Sequence, residues 1–306
     1  MSEPTFGERW IRTAGWASLV ANIGIVVTGG AVRLTGSGLG CPTWPRCTEE
    51  SFTPYGALDV HQAIEFGNRM ITFILVAVAV ATFLVTRDYC RTRKRKDLLR
   101  LSVIMALGIP LQAVIGGISV LTQLSPWVVG LHMVTSLAIV GVCATFLFRL
   151  DRGPGSVTRT GVWPRLGWAT FLAAWAVLYV GTVVTGAGPH AGDAAAPRNG
   201  LDTLEMSQLH ADLVFLLLGL TVALTIMAPQ HVRRAALTLL VVELAQGVLG
   251  FVQYFTDLPI VMVGLHMLGS ALTSAAVTWV LLEATGPDLS RPDPAPRAVA
   301  GTDSPL

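Results

Sequence analysis

Long apolar stretches broken by short polar links run along almost the whole chain. Eight of them are long enough to cross a bilayer, which takes about 20 residues in helical form. They lie near 13–33, 61–86, 98–121, 126–149, 165–187, 204–228, 233–255 and 258–283. In lipid a backbone must satisfy its own hydrogen bonds, so each stretch predicts a helix. The first stretch follows a mixture of Glu3, Glu8, Arg9 and Arg12 with no small-residue cleavage site behind a short apolar core. It therefore predicts a membrane helix and not a cleaved leader. Composition points the same way: 52% of residues are apolar and 13% charged, against about 25% charged in an ordinary soluble domain. The net charge of +2 gives no reason to expect a nucleic-acid partner.

The placement of charge is more informative than its sum. The link at 87–100 holds Arg87, Arg91, Arg93, Lys94, Arg95, Lys96 and Arg100; the link at 149–165 holds Arg149, Arg152, Arg159 and Arg165; the short third link holds Arg233 and Arg234. All three fall on one side of the membrane, which the basic-loop rule makes the cytoplasm. The links at 34–60, 122–125, 188–203 and 256–257 are poor in Lys and Arg and are expected to face outward. Eight spans then put both termini in the cytoplasm of a multi-pass protein of the cell (plasma) membrane. The tail at 286–306, rich in Pro, Ala and Asp, is expected to be disordered.

The chain repeats itself. LQAVIGGISVLTQLSPWVVGLHMVTSL resembles AQGVLGFVQYFTDLPIVMVGLHMLGSA, pairing Gln112 with Gln246, Gly116 with Gly250, Leu124 with Leu258 and His132 with His266 at one constant offset. The first and fifth spans share Gly-Trp-Ala near the start (Gly15, Gly167) and Val-Thr-Gly near the outer end (Val27, Val184). Four spans separate the copies, so both enter the membrane the same way round, as parallel repeats. The expected fold is an all-α membrane protein of eight transmembrane helices forming two parallel-repeat four-helix bundles. Residues 1–150 make the first bundle and 151–285 the second. Bundle cores hold cofactors on side chains from facing helices, although duplication alone is equally compatible with an inert scaffold.

His132, His210 and His266 each lie inside a span, roughly 8–14 Å below the outer surface at ~1.5 Å per residue. Ionisable groups at such depth are costly and usually functional, while a single one can simply bond a neighbouring helix. His210 and His266 come from different spans of the second half at matching depth, as needed to ligate haem iron from both faces. In the first half His132 matches His266. Aligning Glu65-Phe-Gly-Asn68 with Ser207-Gln-Leu-His210 puts Asn68 where the second imidazole would be. The first half also gains Glu65 and, four residues earlier, His61, on one helix face. One half would then hold a fixed cofactor and the other an exchangeable substrate near a carboxylate. Glu65 suits a general acid or base or the stabilisation of positive charge; the alternative is a salt bridge with Arg69. For His61 the alternative is an interfacial residue at a helix start.

The outer loop at 34–60 begins with a Gly-rich run and contains Cys41-Pro-Thr-Trp-Pro-Arg-Cys47. On the oxidising side a Cys41–Cys47 disulfide is expected, either structural or exchanging electrons with a partner thiol. Cys90 and Cys143 are expected to be free. Arg33, at the membrane edge, can pair with a haem propionate or merely snorkel.

GGAVRLTGSGLGCPTWPRC, IEFGNR and the two GLHM segments resemble the haem A synthase family, which acts in cytochrome oxidase assembly. The resemblance covers nearly all eight spans. It implies an oxidoreductase that converts the C8 methyl of haem O to a formyl group by successive hydroxylations. A haem b cofactor would be held by His210 and His266. Substrate haem O would lie in the first half, with His132 on its iron, Glu65 as the catalytic carboxylate, and His61 or Asn68 as candidates opposite His132. The partners implied are the bilayer, haem O, the haem O synthase that supplies it and an electron acceptor the residues do not identify, with a homo-oligomer as one further option. Two departures stand out. Many members carry a histidine at the position of Asn68, and the second outer loop often holds another cysteine pair, where this chain offers His190 and Asp193. A di-haem electron carrier between quinol and a partner is the alternative, and Asn68 weighs against it. A transporter with broken helices and polar residues such as Glu243 and Gln246 at mid-membrane is a third.

Overall fold

The computed structural model describes residues 7–54, 59–153 and 161–286. The predicted tail lies, from 287 onward, outside the described residues. Among those described are eight α-helices: α1 (Glu8–Leu34), α2 (Val60–Arg93), α3 (Lys96–Leu121), α4 (Pro126–Arg152), α5 (Val162–Ala187), α6 (Thr203–Met227), α7 (Gln230–Phe255) and α8 (Ile260–Thr285). All eight are long and apolar enough to cross a membrane. Each is continuous, α3 even through Pro110, so the broken helices expected of a transporter are not found.

Helix ends depart from the apolar limits where the backbone has its own reasons. α2 runs past 86 to Arg93 and stops where Lys94 turns left-handed at φ 52°. Hydropathy marks where lipid ends, whereas hydrogen bonding continues through the solvated Arg-rich turn. α6 is capped by Asp202, whose side chain accepts from the Glu205 amide at 2.9 Å, satisfying one of the free donors at a helix start.

In the first half α1 packs on α2, α2 on α3, α3 on α4 and α4 back on α1; α5 to α8 close a second ring in the same order. The rings meet through α4 with α8, α1 with α8, and α4 with α5. Exchanging α1 with α5 and α4 with α8 maps this set of contacts onto itself, so the halves are related by a pseudo-twofold running between α4 and α8. Small residues let these central helices approach closely: a side chain at Gly141 would meet the Thr278 and Ser274 hydroxyls, and Ser274 Oγ donates to the Leu137 carbonyl at 2.7 Å.

The repeat extends to backbone detail. The turn between α3 and α4 places Gln123 and Leu124 at φ 51° and 59°; the turn between α7 and α8 places Asp257 and Leu258 at 57° each. Left-handed non-glycine residues are uncommon, and here two consecutive ones recur at the same offset. The Leu124 amide donates to the Ser119 carbonyl at 2.7 Å and the Leu258 amide to that of Gln253 at 3.0 Å, again matching positions.

Apolar packing fills the end of each bundle remote from the 34–54 loop. Leu98, Met105, Val140, Cys143 and Phe146 lie in one cluster, Leu217, Leu224, Val232, Leu239 and Val277 in the other. Large apolar side chains such as Phe73, Leu107, Leu172, Phe215, Val248 and Phe251 point outward, a surface that a protein in water rarely exposes and that suits lipid.

Candidate functional site

His210 on α6 and His266 on α8 face each other across the second bundle, with ring centres 6.4 Å apart and planes at 65°. Each imidazole lies against a glycine on a neighbouring helix: a Cβ on Gly181 of α5 would sit 3.1 Å from His210 Cε1, and one on Gly250 of α7 3.9 Å from His266 Cε1. Both Nδ1 atoms are buried without a hydrogen-bond partner in the protein, which costs free energy unless something else satisfies them. Two imidazoles bound to one metal at about 2 Å each have ring centres roughly 6 Å apart. The observed separation leaves room for one metal atom between the two imidazoles, which would be the residues to hold it. Among the described residues no three His, Cys, Asp or Glu side chains converge on a metal-ion site. A macrocycle-bound iron needs no more than two ligands from the protein.

In the first bundle His132 on α4 repeats the arrangement of His266. Its Nδ1 is likewise buried and unpartnered, and a Cβ on Gly116 of α3 would lie 3.2 Å from its Cε1. Gln112 Nε2 donates to Thr135 Oγ1 at 3.1 Å and Ser136 Oγ at 2.9 Å, bracing the turn of α4 that carries His132. Asn68 on α2, which the sequence aligns with His210, accepts at Oδ1 from Thr28 Oγ1 of α1 at 2.8 Å. Gly24, one turn before Thr28, has open space where a Cβ would be. Its counterpart one turn before Thr185 is Gly181, the glycine beneath His210. The glycine thus recurs in the first half, where it meets no side chain and Asn68 takes the aligned position of His210.

Glu65 is only 5% exposed and both its oxygens are engaged. Oε2 accepts from the Cys41 amide at 2.6 Å, and Oε1 accepts from Arg69 Nη2 at 2.6 Å and Nε at 3.1 Å. The salt bridge read as the alternative in the sequence is therefore present. It reaches further than one helix, because the same guanidinium donates to the carbonyls of Cys41, Thr43 and Arg46. Cys41 and Cys47 are joined in a disulfide, while Cys90 and Cys143 are free. The Glu65–Arg69 pair therefore clamps the disulfide loop onto α2.

From that loop the Trp44 indole lies flat on the backbone of α3 at Gly117, where any Cβ would collide with it. Gly117 adjoins Gly116, against which His132 packs, so the loop reaches from α2 across to α3 one residue from the His132 contact. The second half has Phe251 at the matching position, 62% exposed. This break in the repeat, glycine against phenylalanine, is the sequence signal that marks Trp44 and Gly117.

The remaining candidates sit at the edge. His61 Nδ1 is 3.0 Å from Ser37 Oγ, holding the Gly-rich run over the start of α2, so His61 and Glu65 both face the outer loop. Arg33 spends two donors across the bundles, Nε to the His190 carbonyl at 2.6 Å and Nη2 to that of Thr185 at 2.9 Å. His190 Nε2 in turn lies 3.0 Å from the Leu258 carbonyl, tying the second outer loop to the left-handed turn between α7 and α8. Asp193 closes a local turn by accepting from the Ala195 amide.

Residues 12–205 match the COX15-CtaA family, described as cytochrome oxidase assembly protein. The chain is also similar to curated proteins named heme A synthase. That of Geobacillus thermodenitrificans is 28% identical over 142 residues, covering 45% of this chain and 43% of the relative. That of Lysinibacillus sphaericus is 28% identical over 184 residues, 56% and 58% of the two chains. That of Brucella anthropi is 30% identical over 224 residues, 60% and 59%. Each match therefore spans about half the length of the relative.

Proposed function

This chain belongs to the COX15-CtaA family of cytochrome oxidase assembly proteins, and from that membership we propose that it is a haem A synthase, oxidising the C8 methyl of haem O to a formyl group. The observation that carries the proposal is the asymmetry of the duplicated site: a facing imidazole pair in one bundle, and in the other a single repeat-related histidine together with a buried carboxylate on α2 that clamps the disulfide loop.

In this reading His210 and His266 hold a resident haem b, whose contribution is to accept and pass on single electrons. The first bundle receives haem O. His132 would bind its iron from one side, and the small amide of Asn68 opposite leaves the far face free, as an exchangeable substrate requires. Converting a methyl to a formyl group with water as the oxygen source releases four electrons and four protons in all (R–CH3 + H2O gives R–CHO). Glu65 would serve as the fixed negative charge toward which positive charge develops at the methyl carbon, and as a proton acceptor within the site. Arg69 and the Cys41 amide hold its position. His61 and Arg33 stand at the outer edge, where propionates would emerge. The basic links between helices support a plasma-membrane orientation with both termini in the cytoplasm and the two sites near the outer surface. A haem O synthase would deliver substrate, and a separate acceptor would take the electrons.

The test is expression in a host that makes haem O, followed by chromatography of the extracted haems. Haem A above background is expected, with His266→Ala losing the bound haem b, and His132→Ala retaining it while losing activity. Haem b alone, unchanged by Glu65→Ala, would favour the electron carrier. The reverse behaviour of the two histidine variants would mean that the halves are assigned backwards.

A further inference from the structure

One buried acid takes no part in either site. Glu243 lies midway along α7 and is 7% exposed. Its Oε1 accepts from Thr221 Oγ1 of α6 at 2.8 Å, while Oε2 is buried with no partner in the protein. At the same offset that pairs His132 with His266, the counterpart of Glu243 is Ile109. With the alignment that pairs Asn68 with His210, the counterpart of Thr221 is Ala79. Ile109 and Ala79 lie together in one apolar cluster with Leu75. The same place in the fold is thus filled by an ordinary hydrophobic contact in one half and by a hydrogen-bonded acid in the other. Packing does not require the acid, and a carboxyl at mid-membrane is expensive to keep.

Two features indicate what it serves. Val232, Ala235, Ala236, Leu239, Glu243 and Gln253 are the buried residues of α7, and Gly250, which approaches His266, falls on the same helical face. Glu243 is seven residues inward of Gly250, roughly 10 Å along the axis at ~1.5 Å per residue. It therefore lies on the cytoplasmic side of the His210–His266 pair. Two threonines of α6 lie at Glu243 and one turn inward of it. Thr221 is fully buried, and Thr225, whose Oγ1 donates to the Thr221 carbonyl at 2.9 Å, is partly exposed two residues from the end of α6.

We propose that Glu243 is the proton-exchanging group of the second bundle. It takes up one proton from the cytoplasmic side as the haem held by His210 and His266 gains one electron, and releases it when that electron leaves. This rests on the haem-binding reading of the histidine pair. In the reaction the electron comes from methyl oxidation in the first bundle; in the test it comes from dithionite and leaves to ferricyanide. A charge added to a low-dielectric interior is stabilised when an opposite one accompanies it, and a protonatable carboxyl supplies that charge.

The helices packed against α7 offer no competing group. On α6 the ionisable residues are Glu205 and Asp212, both exposed, and His210. On α8 they are His266 and Glu283, the latter bound by Arg152 and Trp279. On α7 itself His231, Arg233 and Arg234 lie in the first turns at the cytoplasmic end and Tyr254 at the outer end.

The test uses the purified full chain, wild type and Glu243→Gln, with bound haem counted first by its pyridine haemochrome. A wild type without haem b defeats the haem-binding reading itself. With haem present, the midpoint potential is titrated with dithionite and mediator dyes across neutral pH. In the wild type the reduction equilibrium should weaken as pH rises, approaching tenfold per pH unit, which is about 59 mV for one electron. The Gln variant should be flat. A flat wild type, or a variant with the wild-type slope, overturns the assignment. Should the variant lose its haem, the wild type still decides: its reduced-minus-oxidised infrared difference spectrum should contain the C=O stretch of a protonated carboxyl that shifts in D2O, and absence of that band overturns the proposal.

Discussion

Replacing Arg69 by Met removes a guanidinium that bonds Glu65 and three loop carbonyls while keeping most of the apolar stem. Its effect can be worked out from burial. Removing one partner of a buried ion pair costs about 3–5 kcal/mol. Two features favour the lower end: Arg69 is 20% exposed as a side chain, so water replaces part of what is lost, and Glu65 keeps the Cys41 amide. The cost is also capped, because an isolated carboxylate can take a proton, which at neutral pH costs an ordinary carboxyl roughly 3–4 kcal/mol. About 3 kcal/mol is therefore the expected weakening of the closed loop, or on the order of 100-fold in its opening equilibrium. Cys41 and Cys47 are fully buried, so a dithiol reaches the disulfide only when the loop opens, and reduction reports local opening. The assay is the rate of reduction by dithiothreitol in native detergent-solubilised protein, read as a gel shift after labelling the new thiols with a maleimide polymer. Arg69→Met should speed reduction on the order of 100-fold and Arg69→Lys, which can reach Glu65 without spanning the carbonyls, by less. A change below about threefold, ~0.7 kcal/mol, would refute the view that this pair holds the loop.

The glycines behind the imidazoles give a graded test. A Cβ at Gly181 would stand 3.1 Å from His210 while one at Gly250 would stand an ordinary 3.9 Å from His266, so Gly181→Ala should lower the haem-to-protein ratio of purified protein and Gly250→Ala should leave it unchanged. Asn68→His restores the repeat in the first bundle, opposite the open space at Gly24. It should yield a second tightly held haem by pyridine haemochrome and slow turnover, and an unchanged haem content would show that positions 68 and 210 are not equivalent.

The repeat was the most legible feature of the chain. Period, offset and basic links together predict eight spans in two like-facing bundles, and the paired left-handed turns at Leu124 and Leu258 show how deeply the duplication reaches. His132, His210 and His266 were visible because a membrane interior makes any ionisable residue conspicuous. Helix limits were less legible, since apolar runs report lipid thickness and α2 continues for two turns beyond it. The outer clamp was least legible of all. Glu65 and Arg69 are visible as neighbours on one helix, but the carbonyls of Cys41, Thr43 and Arg46 are backbone atoms with no residue signature. Only the loop's folded path brings them to the guanidinium. Arg33 likewise reads as an edge residue until the loop from the other bundle meets it.

Where the halves agree and where they differ follows a physical division. His132 and His266 stand on α4 and α8, the two helices that pack together across the pseudo-axis. Tightly packed helices lie about 8–10 Å apart between axes, so sites built on these two residues flank a single helix pair. The contact between α4 and α8 is closed by Leu137, Gly141 and Ser274. The residues of that contact differ between the copies, since Leu137 aligns with Ala271 and Ser274 with Val140. The departures that bear on the sites fall on the outer helices: Asn68 against His210 on α2 and α6, Gly117 against Phe251 and Ile109 against Glu243 on α3 and α7. Each changes what a site can hold or exchange without disturbing the shared pair. A duplicated bundle can in this way specialise one half for a resident group and the other for a passing one, because the order in which the helices pack is kept while single side chains on them change.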